Sequence, residues 1–229
     1  MEVGILTRSP RAWCSRQLYE AFRKLGARAL FLSFRRLSGR IGLGPIASHR
    51  PPGPMDISDL DAIVVRPIGR GSLEEIIFRM DLLRRLEASG VVVVNPAEAI
   101  EICSDKYRAL WLMELAGLPV PRTVATEDVR SALEAFRELG GDVVVKPLFG
   151  SRGVGSVRIT DPETALRVFR AIAFQHGVIY MQEFVPHGPY DVRAFVVGGE
   201  VVASMRRVSE RSWKKNIAQG ARPEPHELT

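Results

Sequence analysis

Short, unbroken apolar runs alternate with helix-spaced apolar positions through the first hundred residues. Residues 2–6, 29–33, 61–65 and 91–94 read as strands, and residues 15–25 and 74–89 as the helices between them. The first helix should stop at Gly26, a residue suited to closing a helix C-terminus. Runs apolar on both faces, joined by helix-sized crossovers, predict an open parallel α/β domain over residues 1–96, closed by Asn95-Pro96. One stretch resists this grammar. Residues 38–55 hold Gly39, Gly42, Gly44, Gly53, Pro45, Pro51, Pro52 and Pro54, a density that predicts a long surface loop.

Beyond Pro96 the pattern changes. Residues 97–116 read as one helix closing at Gly117, and residues 129–139 and 162–174 as two more. Strands are expected near Thr123-Val124 and over residues 143–146, 156–159 and 179–185. Gly198-Gly199 between residues 192–197 and 200–205 is a two-residue hairpin signal. This half should be α+β with antiparallel pairing, its subdomains spanning residues 97–181 and 182–229.

Charged residues are 25% and apolar ones 46% of the chain, which fits a folded globular protein and excludes fibrous and disordered classes. The net charge of +6 comes from an arginine excess spread along the sequence. That spread favours anionic small molecules over nucleic acid, for which charge concentrates on one face or arm. Cys14 and Cys103 form no disulfide framework, and the four histidines show no metal-ligand spacing. No apolar run reaches membrane-spanning length and the N-terminus lacks a signal-peptide pattern, so a cytoplasmic protein without a membrane or nucleic-acid partner is expected.

Three features carry chemistry. Lys146 closes an apolar strand and is followed by a loop with Gly150, Gly153 and Gly155, whose bare N–H groups can approach phosphate oxygens. The lysine precedes the glycines and no helix follows directly, so this is neither a Walker loop nor a dinucleotide fingerprint. It has the logic of a loop that covers phosphates, and an ordinary Gly-rich hairpin is the competing reading. Residues 180–185 form a strand running into Pro186-His187-Gly188; it can offer backbone groups to an adenine edge, although a plain core strand explains it better. Finally, Asp191, Arg193, Arg206, Arg207, Lys214, Lys215 and Asn216 gather several cations and one acid about the hairpin, suited to a polyphosphate and its ribose or to a solvated strand end.

In order, Ser104-Asp105-Lys106, the Lys146-Pro-Leu-Phe-Gly-Ser-Arg-Gly-Val-Gly segment, Gln182-Glu183-Phe184, Asp191-Val-Arg193 and Asn216-Ile-Ala-Gln-Gly220 resemble the ATP-grasp ligases of the RimK type, over nearly the whole chain. The Phe-Gly-Ser and Asn-Ile-Ala-Gln-Gly-Ala segments are most similar to members that glutamylate a pterin coenzyme. The resemblance implies a Rossmann-like pre-ATP-grasp domain followed by an ATP-grasp module. It implies ATP, Mg²⁺ or Mn²⁺, L-glutamate and an acidic acceptor as ligands, and a homo-oligomer is expected. The implied reaction adds L-glutamate to a carboxylate through an acyl phosphate. Lys106 and Lys146 would hold the α- and β-phosphates, and Gly150, Ser151, Gly153 and Gly155 would belong to the lid. Glu183 and Phe184 would meet adenine through their backbone, Asp191 the ribose, and Lys214 and Lys215 the nucleotide. Arg207 and Asn216 would face the transferring phosphoryl group, and Arg193 a substrate carboxylate or phosphate.

Two tensions remain at this level. A plain two-residue turn would place Arg207 opposite Tyr190, on the face away from Asp191 and Arg193; either a bulge intervenes or Arg206 shares the work. The family's later Asp and Glu-x-Asn metal ligands also have no counterpart before Thr229, with Glu224 and Glu227 in a Pro-rich tail. The chain is therefore expected to be truncated, with no metal ligands of its own. Val192, Ala194, Val196, Val201, Ala203 and Met205 would then form an uncovered apolar strip promoting association. The alternatives are a LysX-like or ribosomal-protein glutamate ligase with a peptide or protein acceptor, and a non-catalytic ATP-binding fragment.

Overall fold

A computed structural model describes residues 1–50 and 55–228, and the chain divides into two units, Met1–Cys103 and Ser104 onward. The first unit begins with strand β1 (Glu2–Leu6), helix α1 (Trp13–Lys24) and strand β2 (Arg28–Leu32). Three short strands follow: β3 (Leu37–Gly39), β4 (Ala47–His49) and β5 (Met55–Asp56). Strand β6 (Ala62–Val65), helix α2 (Leu73–Ala88), strand β7 (Val92–Val94) and helix α3 (Ala97–Ser104) complete the unit's elements. Strands β2-β1-β6-β7 form a parallel sheet, as the unbroken apolar runs predict. Its core holds Leu6, Leu32, Ile63, Leu83, Leu86 and Val93. Ala97 is fully buried and Ile100 packs on the same core, so the division falls at the end of α3 and not at Asn95-Pro96.

The expected long loop is instead built around a small antiparallel sheet, β3-β4-β5. The Gly and Pro residues at 42, 44 and 45 fall between β3 and β4, where they turn the chain without breaking a strand. Pro51, Pro52, Gly53 and Pro54 lie outside the described residues.

The second unit contains helix α4 (Lys106–Leu115), strand β8 (Thr123–Thr126), helix α5 (Val129–Glu138), strands β9 (Val143–Lys146) and β10 (Val157–Ile159), and helix α6 (Pro162–Phe174). Strands β11 (Ile179–Glu183), β12 (Tyr190–Val197), β13 (Glu200–Val208) and β14 (Arg222–Pro225) follow. Strands β10-β9-β11-β8 form an antiparallel sheet with α5 and α6 packed on it through Ala132, Phe136, Ala165 and Phe169. Because β11 runs through Glu183, a subdomain boundary at residue 181 would cut a continuous strand.

Strands β12-β13-β14 form a second antiparallel sheet. The turn is the expected two-residue one, with Val197 opposite Glu200. Val196 then pairs with Val201 but Phe195 with Ala203, leaving Val202 as a bulge. The bulge resolves the register tension by placing Arg207 opposite Asp191. It also overturns the expected apolar strip. Val192 and Ala194 lie opposite Arg206 and Ser204, while Ala203 and Met205 share the other face with Phe195 and Arg193. The expected Pro-rich tail supplies β14, whose Met205-to-Val208 pairing covers half of one β13 edge. Pro223 and Pro225 are tolerated because β14 is itself an edge strand.

Candidate functional site

The residues expected to form one helix over 97–116 form two. Asp105 takes an extended conformation (φ −94°, ψ 110°), bridges to Phe149, and accepts hydrogen bonds from the Tyr107 and Arg108 N–H groups at 2.9 and 3.1 Å. This N-cap restarts the helix and makes Lys106 its first residue. Lys106 Nζ then donates to the carbonyls of Pro147, Leu148 and Gly150 at 2.8, 3.2 and 2.8 Å, just beyond the end of β9. An Asp before a renewed apolar run is a capping signal, so the break had a trace in the sequence.

Lys146 arrives from the other side. Residues Val143 to Val145 are buried, which fixes β9 and delivers Lys146 at its end. Its Nζ donates to Gln182 Oε1, and the Gln182 amide donates to Thr123 Oγ1 and Tyr180 Oη at 2.9 and 3.0 Å. Burial pushes the Lys146 ammonium below the usual lysine range, and repulsion from Lys106 lowers it further. Lys106 is lowered by burial, which Asp105 partly offsets. Among the described residues neither ammonium has a carboxylate in ion-pair contact, so two partly desolvated cations face one locality, with Asp105 acting on Lys106 from beyond contact distance. Phosphate oxygens fit this arrangement, since they would relieve the repulsion and take up the donors that Lys146 has left, whereas the three Lys106 donors are spent on carbonyls.

The Gly loop folds beside this pair. Gly153 has φ +70°, and a Cβ there would collide with the Asn216 side chain, so glycine meets both a backbone and a packing requirement. Gln219 Nε2 donates to the Arg152 carbonyl at 3.2 Å, which also brings the segment after Lys215 against the loop. Ser151 lies exposed on the same loop.

At the hinge, the N–H groups of Glu183 and Phe184 donate to the carbonyls of Arg122 and Asp142, both at 2.9 Å. The Glu183 carboxylate accepts from the Arg122 backbone N–H and Nε at 2.8 and 2.6 Å, and these bonds hold it below the usual carboxylate range. The N–H groups of both residues expected to meet adenine through their backbone are therefore engaged within the protein. The Phe184 ring lies 3.5 Å beneath the Arg158 guanidinium and 6.3 Å from Trp213, edge-on. Arg158 is itself held by Asp142 at 2.8 and 2.6 Å. Arg158, Trp213 and Gln182 were not among the sequence candidates. Their partners reveal them: Gln182 lies in the Gln182-Glu183-Phe184 motif without a role assigned to it, and no local motif marks Arg158 or Trp213.

On the hairpin, Arg207 donates from Nε and Nη2 to the two Asp191 carboxylate oxygens at 2.7 and 2.6 Å. Arg193 lies on the same face, two residues along β12. Arg206 projects from the opposite face and stacks over Tyr190 at 4.6 Å. Lys214 Nζ lies 5.3 Å from the Trp213 ring. Lys215 departs from its expected nucleotide-facing place. It is buried, and its ammonium donates to the carbonyls of Ser209 and Ser212 at 2.5 and 2.9 Å, tying the loop after β13. Among the described residues no cluster of three or more His, Cys, Asp or Glu could hold a metal ion. No helix among them is long and apolar enough to cross a membrane.

Comparisons with known proteins bear on the family and the fold. Residues 1–100 match the RimK PreATP-grasp domain and residues 103–229 the RimK-like ATP-grasp domain. The tetrahydromethanopterin:alpha-L-glutamate ligase of Methanosarcina acetivorans is 37% identical over 96% of this chain and 72% of its own length. That of Methanococcus maripaludis is 44% identical over 76% of this chain and 59% of its own length. The crystal structure of the RimK domain protein ATP-grasp from Sphaerobacter thermophilus is 23% identical, with a TM-score of 0.71 over 91% of this chain and 73% of that one. Two matching domain models in the right order, a relative similar along almost the whole chain and a shared fold lead to one conclusion: this chain belongs to the RimK-like family of ATP-grasp ligases.

Proposed function

We propose that this chain is an ATP-dependent carboxylate–amine ligase that joins L-glutamate to an acid acceptor of the tetrahydromethanopterin type. The observation that carries the reading is the Lys106–Lys146 pair, two partly desolvated ammoniums that, among the described residues, have no carboxylate in ion-pair contact, beside a Gly loop. The acceptor is taken from the relatives named as tetrahydromethanopterin:alpha-L-glutamate ligases.

In this reading Lys106 and Lys146 bind the α- and β-phosphates, and the loop from Gly150 to Gly155, with Ser151, covers the triphosphate and excludes water. Arg207, oriented by Asp191, and Asn216, set against Gly153, face the phosphoryl group as it moves to the acceptor carboxylate. The acyl phosphate formed there is attacked by the glutamate amine, and phosphate leaves as the amide forms. Asp191 keeps acceptor lone pairs free for a ribose hydroxyl, and Arg193 serves a substrate carboxylate or phosphate. Lys214 lies with Trp213 and Phe184 at the adenine end. Such a site works by positioned charge, with no protein nucleophile. Mg²⁺, which the family implies, would supply further neutralisation of phosphate charge, although among the described residues no cluster of His, Cys, Asp or Glu is arranged to hold it.

The test is phosphate release with ATP, Mg²⁺, L-glutamate and tetrahydromethanopterin. Release that depends on both glutamate and the pterin, and is lost in Lys146→Ala, is the expected result. ATP binding without release from any acid acceptor would leave only the nucleotide site and overturn the ligase reading.

A further inference from the structure

The first unit carries a second cationic locality that the ATP reading does not use. A cavity of about 180 Å³ opens at the carboxyl ends of β1 and β2, lined in part by Thr7, Arg8, Ser33, Arg36 and His49. A second, of about 380 Å³, is lined by Arg35, Arg36, Leu37, Ser38 and Arg50 and shares Arg36 with the first. Neither lining contains an Asp or Glu. Among the described residues Arg8, Arg35, Arg36 and Arg50 make no ion pair, although the same unit neutralises Arg28, Arg79 and Arg84 with carboxylates.

Two uncharged polar groups that line the smaller cavity, His49 and Thr7, are held by hydrogen bonds. His49 is buried, and its Nε2 accepts the Ser33 N–H at 3.2 Å. Its other ring nitrogen therefore carries the proton and is a donor. Burial and the neighbouring Arg36 charge both hold this ring below the usual histidine range, consistent with the neutral tautomer. Thr7 is buried, with its hydroxyl 2.8 Å from that of Ser15. Arg66, which follows β6 on the same sheet edge, has a buried Nε without a partner among the described residues. In open parallel sheets, ligands enter at the carboxyl ends of the strands. The cavity is smaller than the roughly 300–1,000 Å³ of sites that enclose a whole ligand, so it suits a head group.

We propose that the carboxyl edge of the first sheet is a binding site for a small oxyanion of at least two negative charges, held between Arg8 and Arg36 with His49 and Ser33 as neutral walls. Arginine forks match both phosphate and carboxylate oxygens, so the shared chemistry is clustered anionic oxygen. The site stands apart from the nucleotide reading, because it uses none of the same residues.

The full chain should be titrated calorimetrically with inorganic phosphate and, separately, with citrate. Lys146→Ala, in which the phosphate-suited lysine pair is broken, should still bind at least one of them, and the ion that it retains identifies phosphate or polycarboxylate as the head group. Arg36→Gln, an exposed position whose replacement leaves the core intact, should bind it at least about tenfold more weakly while ATP affinity is unchanged. Arg8→Gln should behave alike, and thermal melts of both variants show whether each remains folded. The proposal is overturned if neither ion binds, if binding survives both arginine substitutions, or if it disappears in Lys146→Ala. Failure of the ATP reading is seen separately, as ATP affinity unaltered by Lys146→Ala.

Discussion

The two sheets of the second unit position functional side chains in different ways. In the β8–β11 sheet, Val143, Val145, Ile179 and Met181 are buried against α5 and α6, and Lys146 is placed by the end of a strand that cannot slip. In the hairpin of β12 and β13, residues 192–203 are exposed on both faces, so burial does not choose the register. The Val202 bulge and the Asp191–Arg207 ion pair choose it instead. A cation that must stay where an isolated charge is costly is carried by a packed strand, and one that meets water is aimed by a pairing irregularity and a partner.

The largest test of this contrast is Phe136→Ala. Phe136 is 2% exposed beneath the sheet, so its truncation should cost about 3–5 kcal/mol of stability by denaturant unfolding. Phe195→Ser, at 62% exposure on the hairpin, should stay within about 0.5 kcal/mol. Comparable losses at both would erase the distinction between the two sheets.

Next in size is the lysine that the packed strand carries. Losing a charge-assisted contact to phosphate in Lys146→Ala should weaken ATP binding roughly tenfold to a hundredfold, measured by calorimetry. Lys24→Ala, on the exposed end of α1, should leave it unchanged. Equal affinity in wild type and Lys146→Ala would remove the nucleotide from this site.

Asp191→Asn should have a smaller effect. It removes the charge of a partly exposed pair, so stability should fall by about 1 kcal/mol, with a loss of turnover as Arg207 loses its aim. If turnover is kept, Arg207 is placed by the bulge alone.

The smallest effect is a pH dependence. Burial lowers Lys146 and Lys106 below their ordinary values, with their proximity adding to the shift at Lys146. Between the folded and unfolded values the unfolded chain holds more protons, so this contribution makes the unliganded protein more stable as pH rises through the lowered values. The penalty is present in full below that window. Bound phosphate should favour the charged lysines, so ATP affinity should fall as the same pH window is crossed. Unfolding and ATP titrations from neutral to alkaline pH should show opposite slopes, flattened in Lys106→Met and Lys146→Met.

Much of this molecule is legible in its sequence because burial is periodic along the chain. The apolar runs of β1, β6 and β9, the Gly26 helix end and the Gly198-Gly199 turn each state a local preference that packing does not oppose. The ordered motifs around Lys106, Lys146, Asp191 and Asn216 likewise carry the family resemblance, since residue type and order are one-dimensional facts. Tertiary structure decided the rest. Asp105 is a capping residue type by sequence, but the split of the helical pattern there also rests on its backbone bridge to Phe149, a partner distant in sequence. Lys215 reads as one more nucleotide-facing cation, yet the loop after β13 folds its carbonyls around the ammonium. Val202 carries no mark of a bulge, because a register shift is a property of two strands together. The cavity beside Arg36 and His49 exists only because a parallel sheet aligns the ends of strands far apart in the chain. Local spacing can specify which residues form an element, but which charges meet, and which remain unpaired, depends on chain segments that only folding brings together.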